Sequence, residues 1–368
     1  MHTRLIILML FFTAMSFSQN RCGTTAHTQY MQETIPEFAT AKAKVNAQTK
    51  QWINNNTFAA KTTITIPVVV HVVWNTNNQN ISDTQIQSQI DVLNADFNRT
   101  NIDTIMTPSV WKSIATDCDI NFCLATTDPN ENITTGITRT QTSQNSFSMN
   151  GDPVMSVADG GTDPWPQNDY LNIWVCKLTG GILGYASQPS GWSNPHDGVV
   201  IGYNYFGLTS SSQYGKGRTT THEVGHWLNL EHIWGDNNCG NDQISDTPMQ
   251  EEENYSCPGF PHNANSCNTT NANGDMFMNY MDYTNDACMN LFTEGQKTRM
   301  IAAINQYRSE LLNHNLCSIP NAIVESKTTN KKLIHIVDVL GRITIRKSNT
   351  PLFYRYDDGS VEKKIIIE

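Results

Sequence analysis

The spacing of three histidines sets the strongest constraint on how this chain can fold. His222 and His226 lie four residues apart in the run T-H-E-V-G-H-W-L-N-L-E-H, so on a helix they share one face, about one turn apart. His232 follows six residues later, and a continuous helix would carry it about 9 Å further along the axis. The three can meet only if the helix ends between them. We expect that turn at Asn229, because Asn tolerates the left-handed backbone of a helix C-terminus.

Three converging imidazoles beside a carboxylate are typical of a catalytic metal site. Two imidazoles placed in this way can both bind one zinc ion at about 2.0–2.1 Å, and His232 would be the third ligand. Glu223 sits next to the first ligand and can reach a zinc-bound water. Zinc lowers the pKa of that water toward about 7, so that the carboxylate can take its proton. The alternative is that the histidines only cap a helix.

The N-terminus has the pattern of a secretory signal peptide. Arg4 precedes an apolar run from Leu5 to Phe12, and small residues then lead to a cleavage site before Gln19. The run is too short to span a bilayer, and no later segment is long and apolar enough to be a transmembrane helix. The alternative is a buried N-terminal helix. We predict a signal peptide at residues 1–18 and a secreted, extracellular or cell-surface protein.

The net charge and the number of cysteines limit the kinds of partner and the redox environment that this protein can have. The formal net charge of the 368 residues is −10, and no basic stripe is present to neutralise phosphates, so we expect no nucleic-acid partner. Nine cysteines after a signal peptide predict disulfides, and an odd count leaves at least one thiol over. Cys22 stands alone in the sequence and is the natural odd one.

Predicted strands and helices alternate in the first half of the chain. The β-branched run at 63–74 predicts a buried strand, and a cap at Ser82 begins a helix with apolar residues at helical spacing. Further strands are expected at 119–126, 170–178, 181–187 and 198–206, and helices at 29–54, at 216–230 and after Thr293. Residues 233–290 are rich in turn formers and cysteines. This order predicts an α/β (α+β) fold with an irregular second half.

Four separated motifs resemble one known family. The run from His222 to His232 resembles the extended zinc motif of the metzincin metalloproteases, with Asn229 in place of their usual Gly. N-Y-M-D-Y, with Met281 and Tyr283, resembles their methionine turn. C-M-N-L-F-T-E-G-Q-K-T-R-M, from Cys288, resembles the pappalysin (cytophagalysin) branch. N-R-C-G-T, with Cys22, resembles the short cysteine-switch pro-segment of bacterial members. The resemblance covers about residues 20–315.

The resemblance implies a domain order. A signal peptide at 1–18 would precede a pro-segment with a cysteine switch at 19–60 and a metzincin-like catalytic domain at 61–317. That domain would have two subdomains, with a mixed five-stranded sheet, an active-site helix and a disulfide-linked C-terminal part. Residues 318–368 would be a linker and a β-rich tail that resembles the C-terminal sorting domain of the type IX secretion system. The secretion machinery would then be a partner; the alternative is an ordinary β accessory domain.

The resemblance also implies roles for single residues. Tyr283 would ligate zinc at rest and stabilise the oxyanion, and Met281 would form an apolar floor under the histidines. Cys22 would be the fourth zinc ligand of a silent zymogen, and Gly181–Ser187 would bind an extended peptide as an added strand. Similar loops bind calcium, and solvated acidic turns are the alternative for the candidate oxygen ligands Asp242, Ser245, Asp246 and Thr247. The implied disulfides are Cys239–Cys267 and Cys257–Cys288.

These observations predict a secreted, zinc-dependent endopeptidase made as a zymogen, which acts on protein or peptide substrates through a zinc-bound water activated by Glu223. One alternative is a secreted binding protein or adhesin that keeps the fold without proteolysis. Such a protein would typically lack Glu223 or a histidine, and all four residues are present. Another is a zinc hydrolase acting on other bonds. Met289 and Leu291 predict an apolar pocket for the residue after the scissile bond.

Overall fold

The structure is a computed structural model that describes residues 21–56, 63–191, 194–211, 213–313, 315–318, 332–357 and 359–365. The predicted signal peptide and nearly all of the predicted linker lie outside these residues. The chain divides into two units, residues 1–318 and residues 319–368. Within the described ranges, no helix combines the length and the apolar character needed to cross a membrane.

The described part of the first unit contains both helices and strands, and the described part of the second unit contains four strands. The helices of the first unit are α1 (Thr24–Thr34), α2 (Pro36–Asn55), α3 (Asp83–Phe97), α4 (Arg218–Trp227) and α5 (Glu294–Tyr307). Its strands are β1 (Ile64–Trp74), β2 (Ile120–Leu124), β3 (Ile137–Gln141), β4 (Leu171–Cys176), β5 (Gly184–Ala186) and β6 (Val199–Gly202). The second unit contains β7 (Leu333–Val337), β8 (Ile343–Thr344), β9 (Leu352–Tyr356) and β10 (Val361–Lys364) in one antiparallel sheet of order β10-β9-β7-β8.

The main sheet is built around β1, whose β-branched residues are buried on both faces. β2 pairs in parallel with its first half, from Ile64 to Val68, and β3 pairs in parallel with its second half, from Val70 to Trp74. β4 and β6 follow on the other side, also in parallel, and β5 closes that edge as an antiparallel strand. The strand order is therefore β2-β1-β4-β6-β5, with β3 beside β1.

This sheet confirms the predicted mixed α/β class and adds one strand to the predicted five. β3 was not predicted from the sequence, because Ile137-Thr-Arg-Thr-Gln is short, polar and only partly buried. It forms because β1 is eleven residues long and β2 leaves half of its edge unpaired. An eleven-residue strand thus accommodates two successive partners on one edge.

Helix α4 is polar in sequence, yet all ten of its residues are buried. Buried polar groups need hydrogen-bond partners, and α3 supplies them. The carboxylate of Asp96 accepts hydrogen bonds from Arg218 Nε at 2.9 Å and from Thr221 Oγ1 at 2.8 Å. Gln89 Oε1 accepts another from Thr220 Oγ1 at 2.8 Å. The side chains of α3 therefore hold α4 under the sheet.

The N-terminal segment forms two helices, which corrects the single helix predicted at 29–54. The break falls at Ile35, which is extended (φ −124°, ψ 98°) and precedes Pro36. A residue before proline is disfavoured in the helical conformation, and proline is tolerated in the first turn of the next helix. The signal for this break was present in the sequence. Helix α2 packs against α5, where Asn46 Oδ1 accepts a hydrogen bond from Arg299 at 2.7 Å.

Three disulfides link the first unit. Cys239–Cys267 and Cys257–Cys288 confirm the two implied pairs, and the third is Cys123–Cys317. The first two cross-link the irregular region between α4 and α5, and the third joins β2 to the end of the unit. The described cysteines without a disulfide are Cys22, Cys118 and Cys176, and all three are buried.

Candidate metal centre

The active-site helix ends where the three histidines require it to end. Helix α4 stops at Trp227, and the backbone of Asn229 has a left-handed φ of 73°. The Leu230 amide donates to the carbonyl of Gly225 at 2.9 Å, which closes the turn. The chain then returns toward the helix and delivers His232 to the two histidines of α4.

The three imidazoles converge through their Nε2 atoms, which lie 3.1–3.2 Å from one another. Each Nδ1 has a different partner. His222 Nδ1 donates to the carbonyl of Tyr280 at 2.7 Å, and His226 Nδ1 donates to that of Leu230 at 2.8 Å. His232 Nδ1 lies 2.5 Å from Asp236 Oδ1. With Nδ1 donating, each Nε2 presents its lone pair to a metal.

The donor set fits a zinc ion. Burial lowers the pKa of His222 and of His226, so both are neutral ligands at physiological pH. Cys22 Sγ joins the three Nε2 atoms in a buried group whose members all lie within 4.8 Å of one another. Three imidazoles and one thiolate match the nitrogen and sulfur ligands that zinc prefers. Among the described residues, this is the one group of His, Cys and acidic side chains that meets such a test.

Glu223 lies buried directly beneath the edge strand β5. A Cβ on Gly184 would lie 3.1 Å from Glu223 Cγ, so the strand passes at close contact over the carboxylate. Oε2 accepts a hydrogen bond from Thr24 Oγ1 at 2.8 Å and lies 3.4 Å from Cys22 Sγ. Oε1 has no hydrogen-bond partner within the described part of the chain. Burial raises the pKa of Glu223 to about 7, although the hydrogen bonds from Thr24 and Cys22 lower it.

Met281 and Tyr283 both lie near the histidines, but they make different contacts. A Cβ on Gly225 would lie 2.6 Å from Met281 Sδ, so the thioether packs against α4 itself. Tyr283 donates to the carbonyl of Cys22 at 3.5 Å, and its ring centroid is 5.0 Å from that of His232. The fourth donor near the histidines is therefore Cys22, whereas the Tyr283 hydroxyl binds the backbone beside it.

Two residues that support His232 were missed in the sequence. The ring of Trp234 stacks on His232, with centroids 4.4 Å apart and planes 10° from parallel. Asp236 accepts from His232 Nδ1 and also from Thr25 Oγ1 at 3.0 Å. An acid four residues after a ligating histidine was the only available signal for Asp236. Such a carboxylate fixes the tautomer and the orientation of the ring.

The N-terminal residues run along β5 and cover the centre. Cys22 pairs with Gly184 in parallel. The carbonyl of Arg21 accepts from the Leu183 amide at 3.0 Å, and the Gly23 amide donates to the carbonyl of Gly184 at 2.8 Å. Further along, Thr24 Oγ1 accepts from the Ala186 amide at 2.9 Å. The polar backbone edge of β5 is therefore satisfied by residues 21–24.

The pocket next to the centre holds an arginine. Arg21 is 1% exposed, and its Nη2 lies 3.1 Å from Asp286 Oδ1. Its Nη1 donates to the carbonyl of Thr284 and lies 3.3 Å from Met289 Sδ. Met289 and Leu291 predict an apolar pocket, and no local pattern points to Asp286, whose buried carboxylate makes the pocket acidic.

The four candidate calcium ligands make different contacts in the loop after α4. Asp242 Oδ1 accepts from the Ile244 amide at 3.0 Å, and its Oδ2 accepts from Thr247 Oγ1 at 2.8 Å. Asp246 points instead to the start of α5, where it accepts from Thr293 Oγ1 and from the Gly295 amide. Ser245 takes part in none of these four hydrogen bonds. Burial raises the pKa of Asp242 to about 7, against the lowering effect of its hydrogen bonds.

The fold, the histidine triad and the adjacent acid define a zinc metalloprotease of the metzincin type. The family described as pregnancy-associated plasma protein-A matches residues 157–305. An extracellular metalloprotease of Arthroderma benhamiae is 30% identical over 79% of this chain and 86% of its own length. This chain belongs to the pregnancy-associated plasma protein-A peptidase family, as its resemblance to pappalysins implied.

Solved structures of Tannerella forsythia proteins support this assignment. A promirolysin mutant matches with a TM-score of 0.74 and 47% identity over 80% of this chain and 97% of its own. Mature mirolysin in complex with a cleaved peptide matches with a TM-score of 0.65 and 53% identity over 68% of this chain and 96% of its own. The predicted fold and the predicted enzyme class, a zinc metalloprotease, are therefore confirmed.

We expect Asp242→Asn to change how stability depends on pH. Asn can accept from the Ile244 amide and donate to the Thr247 hydroxyl, so it preserves the loop without the charge. Because the pKa of Asp242 is raised to about 7 in the folded state, the parent loses stability as the pH rises from about 4 to 7. Urea unfolding at pH 5 and pH 8, without added metal, should show the variant gaining relative to the parent, by on the order of a few kcal/mol at most. An equal difference at both pH values would contradict this.

Proposed function

We propose that this chain is a secreted endopeptidase that is made in a latent form and hydrolyses peptide bonds with Glu223 as the proton acceptor. One observation carries this proposal: Cys22 Sγ lies with the three histidine Nε2 atoms, directly above the buried Glu223. Relatives named as extracellular metalloproteases support the secreted location. The cleaved peptide bound to mature mirolysin supports peptide substrates.

In the mature protein, His222, His226 and His232 would hold the zinc ion. Zinc supplies Lewis acidity, which polarises a carbonyl and lowers the pKa of water. Glu223 takes a proton from the attacking water at its carboxylate and delivers it to the leaving amine. Gly184 of β5 lies against the Glu223 side chain and holds the carboxylate next to the histidines, where it can exchange a proton with the attacking water.

The edge of β5 would hold the substrate backbone. The groups now used by residues 21–24 are the amides of Leu183 and Ala186 and the carbonyl of Gly184. An extended peptide can take the same groups by strand addition. The hydroxyl of Tyr283 already donates to a backbone carbonyl at this place, so it is positioned to donate to the oxyanion that develops on the scissile carbonyl.

Latency would come from Cys22, whose thiolate would fill the position that water needs. The segment is also held at a second place, since Thr49 Oγ1 of α2 accepts from the Asn229 amide group and Asn46 contacts Arg299. We propose that activation removes residues 19–60, which leaves the catalytic domain at 61–317. The removed part includes α1 and α2 and ends close to the start of β1.

The acidic pocket would select arginine next to the scissile bond. Arg21 and Cys22 are adjacent in sequence, so the guanidinium reaches Asp286 while the thiol reaches the histidines. Asp286 is 1% exposed, and a buried carboxylate without a cationic partner is costly. After the pro-segment leaves, a substrate arginine can restore the same ion pair. The sequence predicts a hydrophobic preference from Met289 and Leu291. Met289 contacts Arg21 in this pocket, and the charge of Asp286 would favour arginine over an apolar side chain.

Two other expectations stay proposals. Calcium would bind Asp242 and Thr247, whose oxygens are already in contact, and added calcium would then stabilise the parent but not Asp242→Asn. Residues 318–368 would be a sorting tail read by the secretion machinery. The exposed apolar side chains of this unit, such as Ile334, Leu340 and Ile345, support a docking role.

Glu223→Gln should abolish proteolysis without releasing the metal. Gln keeps the size of Glu223 but cannot accept the proton, so we expect the rate of casein cleavage to fall about 10²–10⁴-fold. Both the parent and the variant, after removal of the pro-segment, should contain one zinc by atomic absorption. A variant that keeps zinc and near-parental activity would exclude Glu223 as the base. Loss of zinc in both proteins would exclude the histidine site.

Cys22→Ala should release latency in the uncleaved chain. We expect hydrolysis of a small fluorogenic peptide to rise roughly tenfold or more, since about 1.4 kcal/mol lost from pro-segment binding is a factor of ten. Cys118→Ala is the matched control, because Cys118 is also a free and buried thiol but is not part of the metal-binding group. Equal latency in the parent and both variants would show that the thiol does not silence the enzyme.

Asp286→Asn should weaken the preference for arginine. The amide oxygen can still accept from the Lys216 and Arg218 amides, so the pocket keeps its shape but loses its charge. For peptides that differ only in arginine or its neutral isostere citrulline, we expect the ratio of kcat/KM values to fall roughly 10- to 100-fold. A parent enzyme that cleaves both peptides equally would overturn the assignment of this pocket.

A further inference from the structure

A second buried carboxylate lies along the cleft and has no part in the catalysis described above. Asp152 is 1% exposed and has a left-handed backbone (φ 52°, ψ 46°) at the start of a short 3₁₀ turn. Its loop contacts the covered edge of β5, since a Cβ on Gly23 would lie 3.1 Å from Met149 Sδ and 3.2 Å from Tyr185 Cβ. The loop of Asp152 therefore reaches the segment that covers the cleft.

A pro-segment histidine occupies this carboxylate. His27 is 3% exposed, and its Nε2 lies 3.0 Å from one oxygen of Asp152 and 3.1 Å from the other. The His27 ring also packs on Tyr185, the middle residue of β5, with ring centroids 5.0 Å apart. This contact places Asp152 beside the strand that would hold a substrate.

The pro-segment thus crosses the cleft with a cationic or imidazole side chain at each end. In chain order, Arg21 fills the Asp286 pocket, Cys22 meets the histidines, Thr24 binds the end of β5, and His27 meets Asp152. Along the chain, the contact with Asp286 therefore comes before the contact with the histidines, and the contact with Asp152 comes after it. Both acidic pockets are filled by residues that activation would remove.

Asp152 keeps one imidazole neighbour after the pro-segment leaves. With His27 in place, burial opposes the ionisation of Asp152, but hydrogen bonds from His196 and His27 lower its pKa to about 2. His196 belongs to the catalytic part and stays, with Nδ1 3.7 Å from the carboxylate and about a third of its side chain exposed. A buried carboxylate that loses a close donor gains from any new donor that enters.

We propose that Asp152 forms a second selective subsite of the mature enzyme, which takes a basic or imidazole side chain of the substrate on the far side of the scissile bond from the Asp286 pocket. This subsite rests on the endopeptidase function proposed above. Histidine, lysine and arginine can all donate a charge-assisted hydrogen bond to the carboxylate, and glutamine can donate only a neutral one. The enzyme would therefore recognise two separated basic residues in its substrate, one at Asp286 and one at Asp152.

The test uses the full chain activated by limited proteolysis between α2 and β1. A peptide series keeps arginine for the Asp286 pocket and glutamine elsewhere, and each glutamine on the other side of the scissile bond is replaced in turn by histidine or lysine. At one position, we expect kcat/KM to rise roughly tenfold or more over glutamine. Asp152→Asn should return this ratio to near one, and Asn suits the left-handed backbone at this position.

The control is Asp159→Asn, which removes an exposed carboxylate seven residues further along the chain. In Asp159→Asn, the ratio of kcat/KM for histidine or lysine over glutamine should stay as high as in the parent. If the ratio falls there, long-range electrostatic attraction explains the preference, and a direct contact with Asp152 is overturned. A parent enzyme that cleaves every peptide with a ratio near one overturns the subsite but leaves the endopeptidase proposal standing. Failure to cleave any peptide overturns both. The peptide series tests the parent enzyme by itself, so the subsite can be disproved even if Asp152→Asn does not fold.

Discussion

The left-handed turn at Asn229 is the constraint on which the rest of the site depends. It ends α4 early enough for His232 to reach the two histidines of the helix. The backbone groups freed by the turn are also used: the carbonyl of Leu230 orients His226, and that of Asn229 accepts from Arg299 Nε at 2.6 Å. One change of backbone direction therefore assembles the ligands, fixes a tautomer and joins α4 to α5.

Buried hydrogen bonds hold the residues around the histidines in place. Tyr280 shows this most directly, since its carbonyl accepts from His222 and its hydroxyl donates to Asp96 at 3.0 Å. Asp96 in turn holds Arg218 and Thr221 at the start of α4. The methionine-containing turn, the active-site helix and α3 are thus joined by one set of hydrogen bonds. Such a set fixes one geometry, because each unmet partner would be costly in the interior.

The pro-segment covers this centre by chemistry that a substrate can copy. Its backbone satisfies the edge of β5, and its thiol reaches the histidines. Its two basic or imidazole side chains meet two buried carboxylates. Under the activation proposed above, each of these groups would stay with the catalytic part and become available to a substrate. In that proposal, latency and specificity share the same physical basis.

The sequence by itself determined the features that depend on neighbours along the chain. The four- and six-residue spacings predicted the turn at Asn229 and the convergence of the three histidines. The caps at Ser82 and Thr293 predicted the starts of α3 and α5, and the β-branched run predicted β1. Only the tertiary structure decided the rest. β3 exists because β1 offers a free edge, and Asp286 and Asp152 gain their roles because distant segments bury them. Arg21 and Asp286 are 265 residues apart, and no local pattern reports such a contact, because burial and charge pairing arise only when the whole chain is packed.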